Sequence, residues 1–376
     1  MITRDTESDV LVVGGGVAGL HVAHLMAGSG VRVRLLEAKP DLLHFSFKTL
    51  GSFLEPEKYG FSRKIVASEL TSMVFHSRWI HTRKHGPARI LDKAQVHREL
   101  LEKCQSNGVD VLAGTSIKNV RQDPDGQLTG VIDQHGTEHT ARLYVDCSGG
   151  KAVLTRPCGL MDKHPQFALG VEYNVRYKDR QDCAHLFYGE NFREGYGWIF
   201  PLGGERAIVG FGSLQQKPAG MSLRQFFERI LALPVITNLI EKDNDDIQGG
   251  AFPISDVKTK FFSGNVVGIG DSVSQGSPLL GEGYRFILEA ASIAAPHLIS
   301  YLANGDQQDL QRYEREWNDT YAQLFHRHKR LQRLALRGSR NDLLADTLSL
   351  MMKTKRSKTF GKLISGDITS SALWFP

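Results

Sequence analysis

The residues best placed to do chemistry begin at Gly14-Gly15-Gly16-Val17-Ala18-Gly19, directly after the apolar run Asp9-Val10-Leu11-Val12-Val13. Helix-compatible residues follow to Ser29, and a second apolar run from Val31 to Leu36 ends in Glu37. Strand, glycine turn, helix, strand and acid in one short unit is the arrangement that binds a dinucleotide. Gly14 allows the tight turn, Gly16 lets the backbone approach a pyrophosphate, and Gly19 lets the helix pack close to the strand. The pyrophosphate then meets the helix N-terminus, where N–H groups and the dipole favour negative charge. Glu37, with Ala38 and Lys39 behind it, stands where a carboxylate accepts the adenosine ribose hydroxyls. It would repel a 2′-phosphate, which disfavours NADP at this site.

Two further constellations lie downstream. Gly268-Ile269-Gly270-Asp271 is followed by Pro278-Leu279-Leu280-Gly281-Glu282-Gly283-Tyr284, a strand ending at an acid and then a glycine-opened helix. Gly195-Tyr196-Gly197-Trp198-Ile199-Phe200-Pro201 precedes Ala207-Ile208-Val209-Gly210-Phe211-Gly212. Tyr196, Trp198 and Phe200 alternate, so on a strand they share one face.

Together these stretches resemble the class A FAD-dependent oxidoreductases (the p-hydroxybenzoate hydroxylase fold), and among them the geranylgeranyl reductases. The resemblance covers Val10 to about Trp317. It implies a resident FAD, with Gly14 to Gly19 as pyrophosphate clamp, Asp271 on the ribitol chain, and Pro278 and Gly281-Glu282-Gly283 at the pyrimidine edge of the flavin. A helix N-terminus there would stabilise the negative charge of the reduced ring. Lys93, where the family commonly has Arg or Gln, is expected to contact FAD as a point charge. Asp146-Cys147-Ser148-Gly149 resembles a second loop near the flavin, with Gly149 allowing close approach. Tyr196-x-Trp198-x-Phe200-Pro201 is similar to the reductases' Tyr-x-Trp-x-Phe-Pro signature, which implies an aromatic wall beside an apolar small-molecule substrate.

The reaction implied is hydride transfer from reduced flavin to an alkene carbon, with a proton delivered to its neighbour. The external electron donor would be NAD(P)H or a reduced protein carrier. Two departures from the family stand out. Arg193 occupies the place of a usual Pro, and His44-Phe45-Ser46-Phe47-Lys48-Thr49 lacks the Cys that many members carry near the flavin. That leaves the proton donor open, with His44, Ser46 and Lys48 as replacements and a solvated loop as the plain alternative. The runner-up activity is a flavin monooxygenase acting on a small aromatic or natural product. Lycopene-cyclase-like non-redox use of the flavin and halogenation are more distant. A halogenase would carry a Trp-x-Trp-x-Ile-Pro stretch, and here Tyr196 and Phe200 replace its first Trp and its Ile. A flavin-bound sensor or assembly factor without turnover is a further class.

The elements that must position these residues read as an α/β chain. The expected architecture is a doubly wound FAD-binding (Rossmann-like) domain from residues 1–165 and 255–305, an antiparallel substrate domain from 166–254, and a helical C-terminal segment from 306–376. Lys93 to Asn107 carries a helical stripe and Lys118 to Thr140 a meander. Phe167 to Ser213 alternates as an antiparallel sheet, and Ser222 with Gln225 marks a capping box. A single GxGxxG argues against a second domain for a pyridine nucleotide. The 376 residues suffice for two or three domains. Cys104, Cys147, Cys158 and Cys183 have no zinc or CxxC spacing and fit a reducing, cytoplasmic setting. The start is polar, and the most apolar stretch, Ile287 to Ala303, is interrupted by Glu289, Pro296 and His297. The net charge of +5 is uneven, with eleven Lys or Arg against two Asp between His326 and Lys362. With Ala372-Leu373-Trp374-Phe375-Pro376, this basic segment reads either as a peripheral contact with an anionic membrane or as a solvated helical face. No motif supports nucleic-acid binding.

Overall fold

The computed structural model describes residues 8–361, apart from 165, 216, 255, 280, 358 and 360. Lys358 and the apolar end Ala372 to Pro376 therefore lie outside the described residues. The chain begins β1 (Ser8–Val13), α1 (Val17–Ala27), β2 (Val33–Glu37), then β3 (Thr49–Ser52), β4 (Val66–His76) and β5 (His81–Asp92). It continues through α2 (Lys93–Ser106), β6 (Asp110–Ala113), β7 (Ile117–Gln122), β8 (Leu128–Asp133), β9 (Glu138–His139) and β10 (Ala141–Asp146). Next come β11 (Phe167–Tyr177), β12 (Cys183–Phe187), β13 (Gly195–Pro201), β14 (Arg206–Ser213), α3 (Leu223–Leu231) and α4 (Pro234–Thr237). The last part holds β15 (Ile240–Glu241), β16 (Ile247–Pro253), β17 (Phe262–Ser263), β18 (Val266–Gly268), α5 (Tyr284–Asn304), α6 (Gln307–Trp317), α7 (Gln323–Gly338) and α8 (Asp342–Thr354).

These elements gather into two compact units, one of Met1–His44, Ala94–Pro165 and Pro253–Arg327, the other of Phe45–Lys93, Gln166–Phe252 and His328–Pro376. This division differs from the sequence-based one. Phe45–Lys93 joins the sheet of the second unit because β4 pairs in parallel with β12, Val74 opposite His185. Residues 306–327 join the first unit, where Tyr313 of α6 donates to the Gly268 carbonyl at 3.2 Å.

In the first unit a six-stranded sheet runs β17-β18-β10-β1-β2-β6. Its strands from β18 to β6 are parallel, and β17 is an antiparallel edge. The order reverses at β1, between β2 and β10, so the carboxyl ends of β1 and β10 open the crevice where doubly wound sheets bind ligands. The central strands are apolar on both sides, and Val10, Leu11, Val12, Leu143, Tyr144 and Val145 are all fully buried. Helix α5 is long and apolar enough to cross a membrane, but half of it is buried within the protein. The His21 ring on α1 meets Ser292 of α5 at 3.0 Å. It is the core helix of this unit.

In the second unit a nine-stranded sheet runs β15-β11-β14-β13-β12-β4-β5-β3, with β16 also on β11. Strand alternation gives it two different faces. Tyr173, Val175, Ile199, Val209 and Phe211 point to one side and pack with Phe227 and Ile230 of α3 as a closed core. Ser222 caps α3 in the capping box expected from sequence. The opposite face carries the aromatic signature.

Candidate functional site

The glycine turn leaves β1 as its sequence implies. Gly14 adopts φ +110°, and a Cβ there would sit 2.3 Å from the Cys147 carbonyl oxygen on the neighbouring strand's exit. A Cβ on Gly19 would meet the Gly14 carbonyl oxygen at 1.9 Å, so only glycine lets α1 start this close to the turn. Gly16 is different. It is the N-cap of α1, with no side-chain cap, and its Cβ would meet nothing within 4 Å. No contact within this protein demands glycine at Gly16, and a ligand's close approach would. Val17 and Ala18 open the helix and are buried, and Ala18 lies 3.3 Å from where a Gly270 Cβ would stand, joining the first constellation to the second.

Glu37 ends β2 and turns back to the loop. Its carboxylate accepts the Gly15 N–H at 2.6 Å and the Lys39 N–H at 2.7 Å. It thus pins the glycine turn, while its remaining lone pairs stay suited to hydroxyl donors. Ala38 and Lys39 are exposed beside it.

Asp146 opens the Asp146-Cys147-Ser148-Gly149 loop singled out in the sequence, and it organises that loop, a role the sequence did not assign to it. It is fully buried at the end of β10. One oxygen accepts from the Ser148 N–H and hydroxyl at 3.0 and 2.6 Å. The other accepts from the Leu154 and Thr155 N–H groups, both at 2.7 Å, and from the Thr155 hydroxyl at 3.0 Å. Thr155 and Ser272 then tie this loop to the segment bearing Asp271. Gly149 sits in the loop at φ +64° with open space where a Cβ would be. An acid ending a buried strand before Cys147-Ser148-Gly149 was the signal for the loop, while its five hydrogen bonds depend on how the chain returns at Leu154 and Thr155.

Asp271 stands in a short turn after β18, and its charge adds to the burial that pushes the Tyr284 phenol upward. Pro278 lines a small cavity with Ser274, Gly276 and Phe325. Gly281 takes φ +66°, Glu282 is buried, and Gly283 is the N-cap of α5 without a side-chain cap. The Gly281 N–H donates within its own loop to the Ser277 carbonyl, so the N–H groups at the start of α5 after Gly283 lack a side-chain cap. Arg285 in the first turn was not anticipated. Its Nε and Nη2 are buried without a hydrogen-bond partner, and the Glu282 carboxylate lies 3.9 Å from Nε. A cation in the first turn opposes the helix dipole, and here the neighbouring Glu282 carboxylate and the Phe286 ring, 4.2 Å from the guanidinium carbon, accompany it. Uncapped starts of α1 and α5, the open Gly16 and the orphaned Arg285 nitrogens fit FAD.

In the second unit, Tyr196, Trp198 and Phe200 of β13 share a half-buried face, with Trp198 and Phe200 stacked at 6.2 Å. The face has a glycine floor. A Cβ on Gly210 would lie 2.3 Å from the Trp198 indole, one on Gly250 2.5 Å from the Phe47 ring, and one on Gly51 3.2 Å from Phe200. The rings lie flat against backbone because these positions have no side chain. Tyr196 is pushed up to about 12 by burial, so it is a neutral phenol. His44 is exposed in the loop before this unit. Lys93 belongs to the second unit, where its ammonium stands 5.0 Å over the Phe45 ring.

A digeranylgeranylglycerophospholipid reductase of Methanosphaera stadtmanae is 25% identical over 82% of this chain and 81% of its own length. The geranylgeranyl bacteriochlorophyll reductase-like protein of Thermoplasma acidophilum superposes with a TM-score of 0.82 at 18% identity, over 98% of this chain and 95% of that one. PqsL of Pseudomonas aeruginosa, a probable FAD-dependent monooxygenase, superposes at 0.66 with 20% identity, over 91% of this chain and 100% of that one. The profile of the family described as lycopene cyclase protein matches residues 9–340, and the chain belongs to that family.

Proposed function

We propose that the chain is an FAD-dependent oxidoreductase that reduces C=C bonds of a prenyl or similarly apolar substrate. The observation that carries this reading is the glycine-floored aromatic face, a smooth apolar surface for an alkene chain, in a chain whose relatives bear reductase names. FAD, when bound, supplies the hydride, its electrons drawn from NAD(P)H or a reduced protein carrier. The protein does the rest. Gly16 and the start of α1 hold the pyrophosphate, Glu37 the ribose, and Asp271 the ribitol chain. The start of α5 offsets negative charge on the ring through its unpaired N–H groups and dipole. Trp198, Phe200 and Phe47 exclude water from the alkene.

The fold likeness to a probable FAD-dependent monooxygenase favours oxygenation as second reading, and the family's description raises cyclisation. One experiment separates them. The flavin is reduced anaerobically with dithionite, a geranylgeranyl lipid is added, and the product mass is read. Two hydrogens gained per double bond is the expected result. Unchanged mass with a new retention time would mean cyclisation, and an oxygen gained only in air would mean hydroxylation. Either would overturn the reductase reading.

We also propose a cytoplasmic protein with peripheral membrane contact and no nucleic-acid partner. Trp79 (64% exposed), Leu343 (70%), Leu350 (53%) and Met351 (40%) are exposed in the second unit, whose last segment is basic. Apolar side chains among cations suit an anionic lipid surface. Sedimentation with phosphatidylglycerol vesicles but not with phosphatidylcholine vesicles is expected. Equal recovery with both would remove the proposal.

A further inference from the structure

We propose that Glu172 is the proton donor of the reduction, delivering its carboxylic proton to the alkene carbon opposite the one that receives hydride. This rests on the reductase reading above. Glu172 lies on β11, where it pairs with Gly210 of β14, and Gly210 in turn pairs with Trp198 of β13. Antiparallel pairing keeps all three on one face, the aromatic one, because Tyr173 and Val175 take the core side. With no side chain at Gly210, the Trp198 indole lies across it and its N–H donates to Glu172. Glu172 is 4% exposed, and its Oε1 is buried with no hydrogen-bond partner. On the adjoining β16, Gln248 shares the face of Gly250 by alternation, and its Oε1 is also buried without a partner.

A buried carboxyl with one donor on it is poorly served as an anion and well served as a neutral acid. Burial holds Glu172 up at about 8, with the Lys93 charge and the Trp198 hydrogen bond pulling the other way. Lys93 is the charged group that bears on it. Arg206, further along the same face, is engaged with Asn174 and Asp243. The other ionisable group on this stretch of β13, Tyr196, is a far weaker acid at about 12. A neutral acid placed on an apolar face, with its own oxygen unpartnered, has its proton available for an alkene.

The step balances. The Glu172 O–H bond breaks and a C–H bond forms at one alkene carbon. Bound, reduced FAD would supply the hydride for the second C–H bond, so that the two electrons the alkene gains come from the flavin. NAD(P)H or a reduced protein carrier would return those electrons, and water reprotonates the carboxylate.

The test uses the FAD-loaded protein, Glu172→Gln and Glu172→Asp. Infrared difference spectra across pH should show, in the wild type, a protonated carboxyl band that titrates near 8 and is absent from Glu172→Gln. Single-turnover reduction of the geranylgeranyl lipid should fall as pH rises through the same region. Glu172→Gln should slow it by roughly 100-fold or more and remove that limb, and Glu172→Asp should restore part of the rate and the limb. Should Glu172→Gln fail to fold, Glu172→Asp and the infrared titration still decide. An ionised Glu172 at pH 7, or a Glu172→Gln enzyme with wild-type rate and pH profile, would overturn the proposal while leaving the reductase reading intact. A wild type that reduces no alkene, with the band present, would overturn both.

Discussion

Asp146 and Glu172 are both buried carboxyl groups, one in each unit, and the protein treats them in opposite ways. Asp146, with no exposure, accepts five hydrogen bonds from Ser148, Leu154 and Thr155. Glu172, at 4% exposure, has one donor from Trp198 and one oxygen with none. The same functional group is a structural clamp where backbone amides converge on it and a store of a proton where apolar surface surrounds it. The loops beside the dinucleotide turn need rigidity, which Asp146 supplies. On the aromatic face of the second unit, burial outweighs the Lys93 charge and the Trp198 hydrogen bond that would favour the charged carboxylate.

The largest effect should come from Asp146→Ala. It strands several buried donors at once and should cost roughly 3–5 kcal/mol in urea denaturation, together with loss of FAD. A loss under about 1 kcal/mol would break the contrast, because Asp146 would then be no clamp.

Glu172→Gln should move stability the other way at neutral pH. Its folded value is raised from 4.5 to about 8, so its favourable contribution is complete below 4.5 and is lost as pH rises through 8. Over that window the wild type should lose stability relative to the variant by up to about 1.4 kcal/mol per pH unit. Subtracting the two urea-stability curves, measured at pH 5 and pH 8, isolates Glu172 from every other titrating group. Parallel curves would mean that its environment is not what holds the proton.

The smallest effect on stability, and the sharpest on ligand, belongs to Gly16→Ala. The site has an ordinary φ of −75° and nothing within 4 Å of the added methyl. Apo stability should change by less than about 0.5 kcal/mol, while FAD affinity falls by roughly tenfold or more. Unchanged affinity, read by fluorescence titration, would take Gly16 out of the pyrophosphate cradle.

Much of the first unit was legible in the sequence. The β1–α1–β2 turn, Glu37 and the helix opened by Gly283 are encoded within a few residues of one another. Turn stereochemistry and apolar periodicity act at that range. The capping box at Ser222 was readable for the same reason, and so was the alternation of Tyr196, Trp198 and Phe200. Arg285 could have been noticed as a cation against the dipole of α5. Its orphaned nitrogens could not, because they depend on what packs around the first turn.

What the sequence by itself determined is the dinucleotide end of the protein, an α/β architecture and an aromatic strand. The tertiary structure alone decided that Phe45–Lys93 completes the second sheet through β4 and β12. It alone set Glu172, Gly210 and Trp198 in one row across three strands. The physical reason is range. A glutamate on an alternating strand looks the same whether its neighbours across the sheet are water, cations or a glycine floor under an indole, and only strand pairing chooses among them.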